Sequence, residues 1–269
     1  MKYFDTHTHI QFSAFDEDRE AVFKRAREAE VGMNVVGTQR DTSSAAVVAA
    51  MTHEDVWATI GLHPVHTSKS FHDTKELGQE GKAFTSRGEV FDMESYEKLA
   101  RQPKVIAIGE CGLDYYRLEE DTKKIQSEAF VSQIELANKV GKPLMLHVRN
   151  AYEDALEILK AHAKVRGDVH FFAGPWQVAK QFLDLGFMLS FTGVLTFTQD
   201  YDEVIKNTPL EMLLSETDAP YITPVPFRGQ RNEPAHVREV VKRIAELKGL
   251  EVEKVREQIL LNSQRIFGI

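Results

Sequence analysis

Short runs of β-branched and apolar residues alternate along this chain with longer stretches of helical periodicity. The runs cover 2–9, 31–39, 56–63, 105–110, 143–149, 168–172, 187–193 and 211–218. They recur at intervals of roughly 20 to 50 residues, the spacing of strand-plus-helix units. Between them, apolar residues fall one helical turn apart, as at Val22, Ala26 and Ala29 or at Phe130, Ile134 and Ala137. After the last run, Val237, Val240, Val241 and Ile244 mark one helix, which Gly249 ends, and Val252, Val255 and Ile259 mark another. This order predicts an α/β fold, a (β/α)8 TIM barrel. An open doubly wound sheet is disfavoured because no glycine-rich phosphate loop follows the first strand. The polar segment 65–102, with Gly78, Gly81 and Gly88, predicts a surface excursion carrying a helix near Met93–Ala100. No linker, low-complexity tract or repeat divides the chain, so residues 1–269 are expected to form a single domain.

Composition narrows the class. Hydrophobic residues make up 42% of the 269, enough for a large core without cross-links. Cys111 is the sole cysteine, which excludes an internal disulfide and suits a reducing compartment. The N-terminus runs directly into a polar, histidine-bearing strand, and no apolar run approaches the ~20 residues of a membrane span. A soluble cytoplasmic enzyme with no membrane association and no obligate protein partner is expected. The net charge of −8 argues against a broad basic nucleic-acid surface. It leaves a nuclease open, because bound metal ions can supply positive potential where a phosphate sits.

The chemistry is concentrated at the ends of the expected strands. In Asp5-Thr6-His7-Thr8-His9, alternation puts His7 and His9 on one side of a strand, with Asp5 at the same parity. Val105–Glu110 ends in a carboxylate, Pro143–His147 in an imidazole, and Met212–Asp218 in an acid, while Asp168–Phe172 carries His170. Barrel active sites are built at the C-terminal ends of strands. Any one of these residues is compatible with a packing role; six together point to a metal centre. They exceed what one tetrahedral ion with an open water position needs, and suffice for two ions sharing a carboxylate. The expected arrangement gives His7, His9 and Asp218 to one ion and His147 and His170 to the other, with Glu110 as the bridge. A water held between the ions becomes a usable nucleophile near neutral pH, and Asp218 is placed to take its proton. The donors suit two divalent ions of zinc, manganese, cobalt or nickel type, with Mg2+ a further candidate.

These pieces together resemble the TatD-type metal-dependent deoxyribonucleases, within the amidohydrolase-like barrels. The resemblance rests on Asp5-Thr6-His7-Thr8-His9, Gly61-Leu62-His63-Pro64, Gly109 to Tyr116, Leu146-His147-Val148-Arg149, Glu216-Thr217-Asp218-Ala219-Pro220 and Arg228 to Pro234, in family order. It implies His7, His9, Glu110, His147, His170 and Asp218 as ligands, and His63 as a residue lining the site. It implies hydrolysis of DNA phosphodiesters, often from a 3′ end, with single-stranded DNA as the expected substrate. Two features depart from the family pattern. Segment 65–102 looks longer than usual, and Phe171-Phe172-Ala173-Gly174 stands where Cys-Phe-Ser/Thr-Gly is more usual.

Around this core, Arg149 lies two residues past His147 and either clamps a phosphate or forms a salt bridge at the rim. Arg228, beyond the last strand, either reaches a phosphate or is solvated, and Arg231 is a further candidate cation. Tyr115 and Tyr116 either stack on bases or pack beneath a loop. Glu216 and Asp5 are expected to orient histidines. Cys111 is expected to pack, and His53, His66, His72, His162 and His236 to lie at the surface or at caps. The competing functional reading is a small-molecule amide or lactone hydrolase on the same metals. A non-catalytic binding protein is disfavoured by the full ligand set.

Overall fold

The computed structural model describes residues 1–69, 71–72, 84–85, 88–116 and 122–269. The barrel strands are β1 (Tyr3–Thr8), β2 (Val31–Val36), β3 (Val56–Ile60), β4 (Val105–Asp114), β5 (Leu144–Arg149), β6 (Gly167–Val169), β7 (Met188–Phe191) and β8 (Leu213–Ser215). They form one eight-stranded sheet in chain order, each pair parallel. A bridge between Thr8 and Ala219 joins the last strand back to the first. Asp218 N donates to His7 O at 2.9 Å and His9 N to Ala219 O at 2.7 Å. The expected barrel is therefore the observed one.

Helices cover its outside: α1 (Arg19–Glu28), α2 (Arg40–Thr52), α3 (Met93–Ala100), α4 (Thr122–Val140), α5 (Tyr152–His162), α6 (Trp176–Asp184), α7 (Asp202–Asn207), α8 (Val237–Lys248) and α9 (Val252–Phe267). The α3 helix has the expected bounds, and Gly249 ends α8 with φ 63°, a conformation glycine adopts without penalty. Within the expected excursion, residues 70, 73–83 and 86–87 lie outside the described residues; a short antiparallel ladder pairs Phe71–His72 with Phe84–Thr85. Among the described residues no helix is long and apolar enough to cross a membrane.

The side chains inside the barrel are layered. Phe4, Ile106, Met145, Met188 and Leu214 form an apolar plug at the N-terminal end, packed against Phe267 of α9. Above them lies a polar belt, where Asn34 Nδ2 donates to Thr6 O (3.0 Å) and Thr59 Oγ1 (2.8 Å). The larger apolar core sits between the sheet and the helices. Each layer is one pleat repeat above the last, so the next repeat places side chains at the C-terminal mouth.

Several strand ends differ from expectation, each for a local reason. The expected end of β4 at Glu110 is too early, because Cys111 to Asp114 continue to pair with Leu146 to Arg149 after a register shift. Glycine makes that close pairing possible: a Cβ at Gly112, where φ is 138°, would stand 2.1 Å from His147 O. The expected run 168–172 stops at Val169, since Phe171 turns to φ 42° and gives its N–H to the Glu216 carboxylate. The run 211–218 shortens to 213–215 because Leu210–Met212 form a 3-10 turn and Thr217 N bonds the Asp5 side chain.

Candidate metal centre

Glu110 is the hub of the mouth, and its two buried oxygens face different groups. Oε2 lies 3.4 Å from His7 Nε2 and 3.8 Å from His9 Nε2. Oε1 lies 3.0 Å from His147 Nδ1, 3.2 Å from His170 Nε2 and 3.3 Å from His63 Nε2. Asp218 Oδ1 completes the first group, 3.5 Å from His9 Nε2 and 3.9 Å from His7 Nε2. The six residues expected from the sequence thus converge, and His63 stands among them rather than at the edge.

Hydrogen bonds behind the rings decide which nitrogen faces inward. His9 Nδ1 is 2.8 Å from Val36 O, and a carbonyl only accepts, so this nitrogen carries the hydrogen. His170 Nδ1 is 3.0 Å from Glu216 Oε1. That carboxylate also receives Phe171 N–H at 2.8 Å and the Ser190 hydroxyl at 2.5 Å. His147 is turned the other way, with Nε2 2.9 Å from Asp114 Oδ2 and Nδ1 toward Glu110. In the neutral rings the inward nitrogens present lone pairs to carboxylate oxygens, an arrangement that repels unless a positive charge lies between.

The balance of burial and neighbouring charge differs from ring to ring. Burial opposes charge on His147, but Asp114 and Glu110 outweigh it and push the ring up to about 9. His170 is likewise raised against its burial by Glu216 and Glu110. Burial and neighbouring imidazoles lower His7 and His63. Burial also opposes ionisation of Glu110, yet His63, His170 and His7 hold its carboxyl well below the usual range. Nitrogen and carboxylate donors that need positive charge between them, with outer acceptors fixing their tautomers, fit divalent ions. The donor atoms of His7, His9 and Glu110, and those of His63, Glu110 and His147, lie within 4.8 Å of one another.

Of the two residues expected to orient histidines, only Glu216 does so. The Asp5 carboxylate instead accepts from Thr217 N (2.8 Å), Thr217 Oγ1 (2.5 Å) and His7 N (3.3 Å), tying β1 to β8. The β1 register shifts between Asp5 and Thr8, so strict alternation does not carry from Asp5 to His7. Asp114 is the residue that sequence reasoning missed. Its signal was even spacing from Glu110, which becomes visible only if β4 continues past the glutamate.

Arg149 stacks on Tyr116, its guanidinium carbon 3.7 Å from the ring centre. It has no carboxylate partner among the described residues, and no rim salt bridge forms among them. Arg228 lies 4.2 Å over Phe197 and donates to Thr223 O at 2.8 Å. Arg231 is instead tied to Asp18 (2.8 Å) and Ala14 O (2.7 Å). Tyr115 packs and donates to Asp154 at 2.9 Å. Cys111 is buried, which pushes its thiol up and leaves it a packing residue. Of the histidines expected at the surface or at caps, His66 and His236 are buried; His236 stands at the N-cap of α8 and stacks on Phe227 with ring centres 4.1 Å apart. The side chain of His72 lies outside the described residues.

The model of the family described as "TatD related DNase" matches residues 4–268. The chain belongs to this family. Among its relatives is the uncharacterized metal-dependent hydrolase YabD of Bacillus subtilis, 38% identical over 99% of each chain. The 3′-5′ ssDNA/RNA exonuclease TatD of Erwinia tasmaniensis is 34% identical over 99% of this chain and 100% of its own. The crystal structure of YJJV, a TatD homolog from Escherichia coli K12, superposes with a TM-score of 0.84 at 28% identity. That match covers 100% of this chain and 98% of the other.

Proposed function

We propose that this TatD-family chain is a metal-dependent deoxyribonuclease that removes nucleotides from the 3′ end of single-stranded DNA. The observation that carries the reading is Glu110, whose two oxygens each address a separate group of imidazoles. In this reading His7, His9 and Asp218 would hold one divalent ion and His147 and His170, beside His63, a second, with the Glu110 carboxylate available to both groups. When bound, such a pair supplies Lewis acidity and lowers the pKa of water toward neutrality. Asp218 accepts the proton that the water loses as its oxygen attacks phosphorus and the bond to the leaving oxygen breaks. Glu216 keeps His170 in its tautomer, and Asp114 does the same for His147. Arg149 and Arg228 present N–H groups to phosphate oxygens. The curated name of the Erwinia relative supports this substrate and polarity.

The test is elemental analysis combined with turnover of end-labelled single-stranded DNA, before and after chelation, beside lactones and acyl-amides. About two ions per chain and chelator-sensitive shortening from the 3′ end are expected. Turnover confined to lactones or amides would replace this reading with a small-molecule hydrolase.

A further inference from the structure

Among the described residues only two Phe, Tyr or Trp rings are exposed, Tyr116 at 42% and Phe197 at 44%. Exposed aliphatic side chains lie on outer helices, as at Val48, Ile125 and Leu261, and on loops, as at Val90 and Val225. Both rings instead follow the C-terminal ends of barrel strands, the face where the candidate ligands converge. Each carries a guanidinium stacked on it: Arg149 at 3.7 Å on Tyr116, and Arg228 at 4.2 Å on Phe197. The first pair comes from the ends of β4 and β5, and the second from the loops after β7 and β8. Along that arc of the barrel, β6 and His170 lie between them.

Both pairs are held in place. Tyr116 N donates to Asp114 Oδ1 at 2.9 Å, and the other oxygen of that carboxylate bonds His147. The first pair is therefore linked through one carboxylate to a candidate ligand. On the other side, Arg228 donates to Thr223 O and Val225 N to Thr196 Oγ1 at 2.8 Å each, joining the loop after β8 to the turn that bears Phe197. A guanidinium stacked by its face keeps in-plane N–H edges available to a phosphate.

We propose that Tyr116 and Phe197 are two stacking platforms for unpaired bases on either side of the scissile phosphate. This rests on the phosphodiesterase reading and deepens it. A base can lie on such a ring only when it is free of its complementary strand, so the platforms select single strands by shape. They do so with little preference among bases, because every base offers a π-face. They also account for nucleic-acid binding by a chain of net charge −8, since stacking needs no basic groove.

The experiment compares wild type, Tyr116→Leu, Phe197→Leu and the ring-retaining Phe197→Tyr, all metal-loaded. Substrates are end-labelled single-stranded oligonucleotides, either intact or carrying an abasic residue at one of the nucleotides flanking the cleaved bond. Each leucine variant is expected to raise KM for intact DNA by roughly 5- to 150-fold, the range of one base–aromatic stack. On DNA abasic at the matching nucleotide the same variant should add little further loss, and Phe197→Tyr should restore most of the affinity. Unchanged metal content shows that the loss is not one of folding. Wild-type KM in both leucine variants, or equal losses on intact and abasic DNA, would overturn the platforms while leaving the nuclease standing. Failure of the wild type to bind or cleave any oligonucleotide would overturn the nuclease reading and the platforms with it.

Discussion

Asp218 combines two features that seldom coincide in one side chain. Its backbone adopts φ 54°, which aspartate tolerates, and its N–H bonds His7 O at 2.9 Å. The carboxylate is thereby held beside His7 and His9 at the seam where the barrel closes. Asp218→Asn keeps the shape and weakens the base, so kcat on single-stranded DNA should fall by about 10²- to 10⁴-fold, with a smaller change in KM. Near-normal kcat in steady-state assays would remove Asp218 from the role of base. Deeper in the barrel, Asp168 is fully buried, and the Ser190 hydroxyl beside it donates to Glu216 at 2.5 Å. Burial and then the neighbouring Glu216 push its carboxyl well above the usual range. Asp168→Asn keeps the volume and removes the cost of protonating, on folding, a carboxyl that is ionised in the unfolded chain. It should raise the thermal midpoint, corresponding to about 1 kcal/mol; a lower midpoint in calorimetry would show that the acid is needed where it stands.

At the scale of elements, α4 acts as a brace for half of the site. Gln126 Oε1 accepts Asp114 N (2.8 Å) while its Nε2 donates to Asp114 O (3.0 Å). Two turns later, Gln133 makes the same pair of bonds to Leu62 N (2.7 Å) and Leu62 O (2.9 Å). These amides stand in for a missing strand neighbour, at the residue before His63 and at the residue that orients His147. Gln133→Leu strands a buried N–H and C=O, so it should destabilise the fold by roughly 1–3 kcal/mol. If the brace serves the metals, one ion should be lost more readily than the other in a chelator titration; equal loss of both would show that α4 does not discriminate between the halves. Helical periodicity revealed α4 but not this function, since a polar residue on the inner face of a helix reads as a flaw in its pattern.

For the whole molecule, electrostatics sets two expectations. Of the three arginines first considered for phosphate, Arg231 is committed to Asp18, leaving Arg149 and Arg228. Two phosphates on a single strand correspond to a log–log salt slope of about −1.4. A metal-loaded but inactive variant should show that shallow dependence, and chelation should remove most of the binding; a steep slope that survives chelation would reveal a basic groove. The second expectation concerns acid. Asp18 is held below its usual range chiefly by Arg231, which joins the loop after β8 to α1, and then, against a little burial, by Arg25 of α1 itself. A depressed carboxyl contributes stability that is present above its unfolded pKa of about 3.9 and is lost as pH falls through the folded value. Asp18→Asn should therefore lower stability at pH 7 and leave the variant and wild type closer together in acid, as read by denaturant titration at both pH values.

The alternation of strand and helix patterns, together with polar residues at strand ends, was sufficient to derive the barrel and to nominate His7, His9, Glu110, His147, His170 and Asp218. That inference works because a parallel barrel repeats one local unit, and side-chain parity within a strand is a local property. What lies between strands was not legible. Asp114 belongs to the site only because Gly112 lets β4 pair closely with β5 beyond Glu110. Asp5 leaves the histidines because β1 shifts register against β2, and Arg231 leaves the phosphate because α1 brings Asp18 to it. Each of these depends on which remote backbone or charge comes within a few ångströms, and spacing along one chain carries no information about that until the barrel closes.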